Sequence, residues 1–285
     1  MKPAPTHLPA GLYLVATPIG NARDITLRAL DILASADVIA AEDTRTARKL
    51  MEIHGIKTGN RPLIAYHDHS GAHGRAGILK LIGEGRSVAY VSEAGTPLVS
   101  DPGYALAREA GAAGFLVTAA PGPSAVLAAL SLSGLPSDRF LFAGFAPSQQ
   151  GARRRWLEDL APVPATLIIY ESPRRVRELL EDMVHSLGEE REAALCRELT
   201  KKFEEVLRGS LGALAAIVAE RELKGEIVVL VDRGTLSVTE ETMEEALRSA
   251  MARMSLKDAA AEVAEAYGLP RRKVYQAALE LEKNG

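Results

Sequence analysis

The sequence predicts an α/β fold in which short buried strands alternate with amphipathic helices. Apolar runs rich in β-branched and aromatic residues, such as residues 12–16 and 38–41, end at Gly, Pro and Asn turn sequences. Between these runs, Leu27, Leu30 and Leu33 recur at helical spacing. Because strands and helices alternate through the first half, a largely parallel sheet is expected there.

The elements follow in order along the chain. The first half contains predicted strands at 12–16, 38–41, 63–66, 88–91 and 115–118, and helices at 27–34, 45–55, 76–83 and 104–110. The second half contains predicted helices at 125–131, 151–160 and 174–187, and strands at 140–145, 166–170, 193–199, 205–209 and 226–231. With fewer helices between its strands, the second half predicts a mixed sheet.

The domain limits are expected where composition changes. Residues 1–10 form a Pro-rich loose tail, residues 11–119 an N-terminal α/β domain, residues 120–235 a mixed α/β domain and residues 236–285 a helical extension. In the extension, a capping box at Ser255 and Asp258 starts one helix, and the basic run Arg271-Arg-Lys273 opens the next. This pattern indicates a helix-turn-helix, although a helical hairpin used in dimer packing explains it equally well.

Composition limits the class of protein. The 285 residues are 47% apolar with a net charge of −3, so a nucleic-acid partner would have to be held by local basic clusters. The single cysteine, Cys196, lies in an apolar stretch and indicates a buried thiol in a reducing compartment, the cytoplasm. No apolar run is long enough to span a membrane, and the start lacks the apolar core of a signal peptide.

A loop rich in Gly and Pro, residues 92–103, follows the strand at 88–91. Open α/β sheets bind ligands at the carboxyl ends of their strands, so this loop predicts a small-molecule site. The sequence lacks both common phosphate-binding Gly motifs, which argues against nucleotide triphosphate chemistry. Histidines 67, 69 and 73 are better explained by contact with a polar substrate than by a metal.

Two arginine runs, at 153–155 and 174–175, allow two interpretations. Each is either a solvated helix face or a set of guanidinium forks that contact phosphate.

Taken together, a series of motifs resembles the tetrapyrrole methylase superfamily, and more closely its branch of ribosomal RNA 2′-O-methyltransferases. The motifs occur in order between residue 11 and about residue 232: Thr17-Pro-Ile-Gly-Asn21, Glu42-Asp-Thr-Arg45, Ser92-Glu-Ala-Gly-Thr-Pro97, Ser100-Asp-Pro-Gly103, Pro121-Gly-Pro-Ser-Ala125, Glu171-Ser-Pro-Arg-Arg175 and Arg197-Glu-Leu-Thr-Lys201. The Gly-x-Gly-Pro-Gly-Asp loop of tetrapyrrole and diphthamide relatives is absent, which counts against a tetrapyrrole acceptor.

The resemblance implies a two-domain class III methyltransferase that binds S-adenosyl-L-methionine between its domains and forms a homodimer. It also implies 2′-O-methylation of a decoding-region cytidine, on small-subunit ribosomal RNA or the assembled 30S subunit. Two alternatives remain open: a small-molecule methyltransferase of the tetrapyrrole type, and a non-enzymatic nucleic-acid-binding regulator that uses the C-terminal helices.

Candidate site residues fall into three groups, and none is a metal ligand. Cofactor contacts are expected from Pro18, Ser92, Glu93, Ala94, Gly95, Thr96, Pro97, Ser100, Asp101, Ser124, Ala125 and Glu171. RNA contacts are expected from Asn21, Arg45, His67, His69, Arg153, Arg154, Arg174 and Arg175. The group that accepts the ribose proton is expected among Glu42, Asp43, Glu171, Glu198 and Lys201, with none preferred.

Overall fold

The computed structural model describes residues 6–67, 70–100, 103–233, 240–267 and 269–284. The chain forms two compact units. Unit 1 comprises Met1–Leu132 and Cys196–Glu205, and unit 2 comprises Ser133–Leu195 and Val206–Gly285. The domain limits expected from composition remain a prediction. Among the helices described, none is long and apolar enough to cross a bilayer.

Unit 1 contains a five-stranded sheet with helices between its strands. Its elements are β1 (Gly11–Val15), α1 (Leu27–Ser35), β2 (Val38–Ala41), α2 (Thr44–Ile53), β3 (Leu63–Ala65), α3 (Gly71–Gly83), β4 (Ser87–Val91), α4 (Tyr104–Ala112), β5 (Val117–Ala120) and α5 (Ala125–Ser133). The strand order is β3-β2-β4-β1-β5. All four pairings are parallel, as the alternation of strands and helices predicts.

Both faces of this sheet are buried, which explains why its central strands are continuously apolar. On one face, Val15 and Ala89 pack with Leu30 and Leu33 of α1. On the other face, Leu12, Val88 and Tyr90 pack with residues of α3 and α4.

Unit 2 contains a mixed sheet, also as expected. Its elements are β6 (Phe140–Phe145), α6 (Gln150–Leu160), β7 (Thr166–Glu171), α7 (Val176–Leu187), β8 (Glu192–Arg197), β9 (Glu205–Ser210), α8 (Leu211–Ala219) and β10 (Ile227–Val231). The last two residues of β8 and the first residue of β9 are counted with unit 1. The strand order is β6-β7-β10-β8-β9. Strand β6 pairs with β7 in parallel, whereas β10 pairs with β7 antiparallel.

Several elements differ from the sequence prediction, mostly by one or two residues at an end. Strand β5 begins at Val117, two residues later than expected, and Phe115 packs against the apolar cluster that contains Leu12 and Val88. Helix α3 begins at Gly71 rather than residue 76. Helix α8 was not predicted, since its nine residues are almost all apolar and show no polar face; Ser210 caps it by accepting a hydrogen bond from the backbone N–H of Ala213.

The C-terminal helices α9 (Glu240–Met251), α10 (Leu256–Tyr267) and α11 (Arg271–Asn284) share an apolar core of their own. Leu247, Val263 and Val274 lie in it, one from each helix. The predicted cap of α10 is present: the N–H of Asp258 donates to Ser255 Oγ at 3.2 Å, and the two side chains are 2.6 Å apart.

A buried ionic network joins α6 to α7 in unit 2. Nε of Arg153 donates to Oδ2 of Asp182 at 2.7 Å, and both side chains are 1% exposed. Arg154 donates to the other carboxylate oxygen at 2.7 Å, and Gln150 adds a third hydrogen bond. Burial alone would raise the pKa of Asp182, but the hydrogen bonds from Arg154 and Arg153 outweigh it and lower that pKa.

Substitution of Asp182 with asparagine should destabilise the protein strongly, because it leaves the buried Arg153 guanidinium with the exposed carboxylate of Glu178, 3.3 Å from Nη2, as its remaining ion-pair partner among the described residues. We expect a loss of about 3–5 kcal/mol of unfolding free energy, measured by chemical denaturation. Asp138→Asn is the matched control, since its ion pair with Arg233 is solvent-exposed and should contribute little to stability. Equal effects of the two substitutions would show that the buried network contributes no more than a surface pair.

Candidate functional site

The parallel sheet of unit 1 delivers several loops to one edge, where its strands end. Strand β1 ends at Val15, β4 at Val91 and β5 at Ala120. These strands are neighbours, in the order β4-β1-β5. The loops that follow them are therefore adjacent, although about a hundred residues separate the first from the last.

Hydrogen bonds tie these loops together. Thr17 and Gly95 form a two-way backbone bridge, with N–H to O=C distances of 2.9 and 3.0 Å. The Thr96 hydroxyl donates to the carbonyl of Pro123 at 2.8 Å. The Ser92 hydroxyl donates to the carbonyl of Gly95 at 3.1 Å. The predicted cofactor residues around Gly95 thus belong to one hydrogen-bonded assembly.

The backbone of this assembly takes conformations that most residues avoid. Gly95 has φ +80°, and Leu98 and Ser100 also have positive φ. Such torsions in residues other than glycine are costly and concentrate at functional sites. A side chain at Gly122 would also be crowded, since its Cβ would lie 2.9 Å from that of Ala16. The backbone is therefore closely packed along this edge, where Gly95 is buried and a side chain at Gly122 would collide with Ala16.

A buried hydroxyl at this edge lacks a hydrogen-bond partner among the described residues. The Oγ1 atom of Thr17 is buried, and the whole residue is 3% exposed. An unsatisfied buried hydroxyl costs about 1–3 kcal/mol, which a bound polar group would recover. A buried hydroxyl without a partner among the described residues makes Thr17 a candidate contact for a bound polar group or an ordered water.

Strand β2 ends at the same edge and carries two of the predicted proton acceptors. Oε2 of Glu42 accepts a hydrogen bond from the N–H of Glu93 at 3.1 Å. Asp43 caps α2 by accepting from the N–H of Arg45, and its carboxylate also pairs with the Arg45 guanidinium at 2.9 Å. The hydrogen bonds from the Arg45 side chain and backbone lower the pKa of Asp43 to about 2.

The segment Cys196–Glu205 belongs to unit 1 and contacts the loop after β1. The N–H of Asn21 donates to Oγ1 of Thr200 at 3.1 Å. In the same turn, Nζ of Lys201 donates to Glu198 at 2.8 Å. Three predicted site residues, Asn21, Glu198 and Lys201, are thereby brought together. Cys196, at the start of the segment, is buried as expected.

In unit 2, the carboxylate of Glu171 is buried, and only one of its two oxygens accepts a hydrogen bond. Oε1 accepts from the N–H of Ser172 at 2.7 Å. Oε2 lies 3.0 Å from Nη2 of Arg175 but has no aligned hydrogen-bond donor. Arg175 directs Nη2 mainly to the carbonyl of Ala146 at 2.5 Å. Arg174, by contrast, is exposed.

The remaining predicted RNA contacts differ in how accessible they are. Arg153 lies inside unit 2 and bonds to Asp182 and to the carbonyls of Pro147 and Ser148, so its burial does not fit an RNA-binding role. Arg154 is partly exposed but also bonds to Asp182. Arg45 is 91% exposed. His67 is exposed after β3, whereas His69 and the predicted cofactor contact Asp101 lie outside the described residues.

The sequence prediction omitted Thr17 and Gly122, although both stand in motifs that follow buried strands. Position after a strand was the available signal, but only the structure reveals the unsatisfied hydroxyl of Thr17. Among the residues that the structure describes, no group of three or more His, Cys, Asp or Glu side chains could hold a metal ion.

Two family models match this chain. The model for tetrapyrrole (corrin/porphyrin) methylases matches residues 11–215. A second model, described as the RsmI C-terminal HTH domain, matches residues 237–282, which include α9, α10 and most of α11.

Curated relatives match over nearly the whole chain. A protein of Mesorhizobium japonicum named ribosomal RNA small subunit methyltransferase I is 50% identical, with 97% of this chain and 95% of the relative covered. Proteins of the same name from Escherichia coli O157:H7 and Mycobacterium tuberculosis are 45% and 46% identical, each with 94% of both chains covered.

Solved structures with the same fold are more distant in sequence. Uroporphyrin-III-C-methyltransferase from Thermus thermophilus superposes with a TM-score of 0.56 at 22% identity, covering 79% of this chain and 94% of that one. Diphthine synthase gives 0.59 at 16% identity, covering 78% and 89%. These similarities establish the fold alone. With the family model covering residues 11–215 and full-length relatives at 45–50% identity, the chain belongs to the tetrapyrrole methylase family and, within it, to the ribosomal RNA small subunit methyltransferase I proteins.

Proposed function

We propose that this protein transfers a methyl group from S-adenosyl-L-methionine to small-subunit ribosomal RNA. The observation that carries the proposal is the 50% identity, over 97% of the chain, to a protein named ribosomal RNA small subunit methyltransferase I. From the family resemblance we also propose a cytidine 2′-oxygen in the decoding region as acceptor, a 30S subunit as the assembled substrate and a homodimer. The single buried cysteine supports a cytoplasmic location.

The carboxyl edge of the unit 1 sheet fits the cofactor. Backbone at Gly95 can approach a ligand closely, and the unsatisfied Oγ1 of Thr17 offers a hydrogen-bonding partner. Ser92, Ser100 and Ser124, on the loops after β4 and β5, complete the set of polar groups that would hold its amino, carboxylate and ribose groups. Main-chain atoms and hydroxyls are suited to orienting a ligand without reacting with it.

Orientation is the principal task of these loops. When bound, the cofactor supplies a methyl group already activated on a sulfonium, so transfer depends on an in-line approach of the acceptor oxygen. Holding the reactants in line can lower the activation barrier by several kcal/mol, provided that the loops are rigid. The bridge between Thr17 and Gly95 and the contact of Thr96 with Pro123 supply that rigidity.

A ribose hydroxyl must also lose its proton as the new bond forms. Asp43 is poorly suited to take it, because a carboxyl with a pKa of about 2 is a weak base and this one already caps α2. Glu42 and Glu198 each accept a hydrogen bond from a protein donor. Glu171 alone among these carboxylates has a buried oxygen without an aligned donor, so we propose it as the first acceptor to test.

The RNA contacts that we propose are exposed cations and polar groups: Arg45, Arg174, Asn21 and His67. Arg153 is left out because its guanidinium is committed inside unit 2. The names of the full-length relatives do not favour either alternative, a tetrapyrrole-type acceptor or a non-enzymatic regulator that uses the C-terminal helices.

Purified protein should transfer labelled methyl groups from S-adenosyl-L-methionine to small ribosomal subunits that lack the modification. The modified nucleotide should be mapped by resistance of its 3′ linkage to alkali, which 2′-O-methylation confers. Subunits that already carry the modification serve as the control and should accept little label. Transfer to a tetrapyrrole or a protein, with none to RNA, would contradict the proposal.

Substitution of Gly95 with valine should abolish cofactor binding in calorimetry. A side chain at this position faces Ile19 at 3.3 Å and occupies the edge where the main chain would meet the ligand. Gly85→Val is a matched control, because Gly85 has φ +87° but open space around it. Both variants should lose roughly 1–3 kcal/mol of stability through backbone strain. If both bind the cofactor normally, the loop after β4 is not part of the site.

Replacing Arg45 with alanine should weaken RNA binding and reduce its dependence on salt. Loss of one phosphate contact to single-stranded RNA makes the slope of log K against log salt shallower by about 0.7. Arg86→Ala is the control, since Arg86 is exposed just before β4, at the amino edge of the same sheet. If the two variants show the same slope of log K against log salt, Arg45 is not part of the RNA-binding surface.

A further inference from the structure

A large aromatic side chain is presented to solvent in unit 1. Phe203 is 61% exposed, in the turn of residues 198–204 that connects β8 to β9. Exposed apolar side chains are common singly, so exposure by itself indicates nothing. The surroundings of this side chain are what distinguish it.

The turn that carries Phe203 is held in one conformation. Glu198 and Thr200 have φ values of +51° and +63°, which non-glycine residues rarely adopt. Three internal hydrogen bonds support this backbone: Thr200 N–H to Oε2 of Glu204 at 2.6 Å, Lys201 N–H to the Glu198 carbonyl at 3.0 Å, and Glu204 N–H to the Lys201 carbonyl at 3.2 Å. Strain of this kind persists only where the surrounding structure fixes it.

The same turn is anchored to the loop that follows β1. Besides the hydrogen bond from Asn21 to Thr200, Gly20 lies directly against the turn. A Cβ on Gly20 would be 2.5 Å from Cγ of Lys201 and 3.0 Å from the carbonyl oxygen of Leu199. Only glycine allows this approach. The turn therefore adjoins the edge of the sheet that we propose as the cofactor site.

A cation accompanies the ring. Nζ of Lys202 lies 5.3 Å from the Phe203 ring centroid, within the range of a cation–π contact. The carboxylates nearby are engaged inside the segment, Glu204 with Thr200 and Glu205 with Arg197. The turn thus offers an aromatic face and an ammonium group side by side.

We propose that Phe203 and Lys202 form a stacking platform for one unpaired RNA base, with Lys202 contacting its phosphate. Proteins recognise single-stranded RNA by stacking splayed bases on aromatic rings and pairing the backbone with nearby cations. The proposal rests on the proposed function, and the base would flank the nucleotide that is methylated. A rigid turn suits this role, because the platform is ordered before RNA binds.

A base fits this surface better than a second copy of the chain does. Lysine is depleted at the centres of protein–protein interfaces, whereas Phe203 follows two lysines in sequence. A contact between protomers would need only a large apolar side chain at residue 203, whereas base stacking needs an aromatic ring. This difference makes the two possibilities separable by substitution.

The test compares Phe203→Ala, Phe203→Leu and Phe203→Trp in the full chain, with unstructured oligouridine and oligoadenosine as probes. Stacking predicts that alanine and leucine both weaken binding, by about tenfold to a hundredfold, and that tryptophan preserves it. In a variant that also carries Trp156→Phe, the fluorescence of the tryptophan at residue 203 should be quenched when an oligonucleotide binds. Leu116→Ala, which also removes an exposed apolar side chain from unit 1, should leave binding unchanged.

Methyl transfer to small subunits supplies a second measurement. Phe203→Ala should raise the KM for RNA with little change in kcat and no change in cofactor affinity. Wild-type binding by Phe203→Leu would overturn the platform, as would failure of the native chain to bind either oligonucleotide. Dissociation of a dimer by Phe203→Ala, with Phe203→Leu still dimeric and active, would assign the residue to a protomer contact instead. If the native chain binds the oligonucleotides but methylates no RNA, the proposed function fails while the platform stands.

Discussion

The parallel pairing of β1 between β4 and β5 is the constraint on which the proposed site depends. Parallel strands bring all their carboxyl ends to one edge, so the loops after these three strands must meet there. The backbone bridge between Thr17 and Gly95 then fixes the first two loops against each other. Because both faces of the sheet are buried, this edge is where a ligand can meet main-chain atoms and the unsatisfied hydroxyl of Thr17.

Charged residues in the two units differ in how far they are buried, and this difference determines whether their charges are available to a ligand. In unit 2, Arg153 and Asp182 lie inside the protein, where an ion pair is required once either charge is present. Arg45, at the edge of unit 1, forms an ion pair with Asp43 while its own side chain stays 91% exposed. A charge that remains hydrated can exchange its partner for a phosphate at little cost, whereas a buried one cannot.

The segments around Asn21 and Thr200 are 179 residues apart in sequence. They form one continuous surface because the N–H of Asn21 donates to Oγ1 of Thr200. The contact between Gly20 and the turn at 198–204 joins the proposed cofactor edge to the residues proposed to hold RNA. Diphthine synthase and uroporphyrin-III-C-methyltransferase share the fold, so the sheet itself does not specify the acceptor. We propose that the loops determine the acceptor, and one of them presents a lysine beside an exposed aromatic ring.

The sequence by itself determined the alternation of strands and helices, the parallel and mixed sheets and the family, because hydrophobic periodicity and ordered motifs are local properties of the chain. It could not identify α8, whose apolar residues lack a polar face, nor separate buried Arg153 from exposed Arg174 within similar basic runs. Whether an arginine is buried or exposed depends on contacts between residues that are distant in sequence. The same holds for the unsatisfied oxygens of Thr17 and Glu171 and for the hydrogen bond between Asn21 and Thr200. Only the tertiary structure decided them, because burial and hydrogen-bond partners are set by packing rather than by residue type.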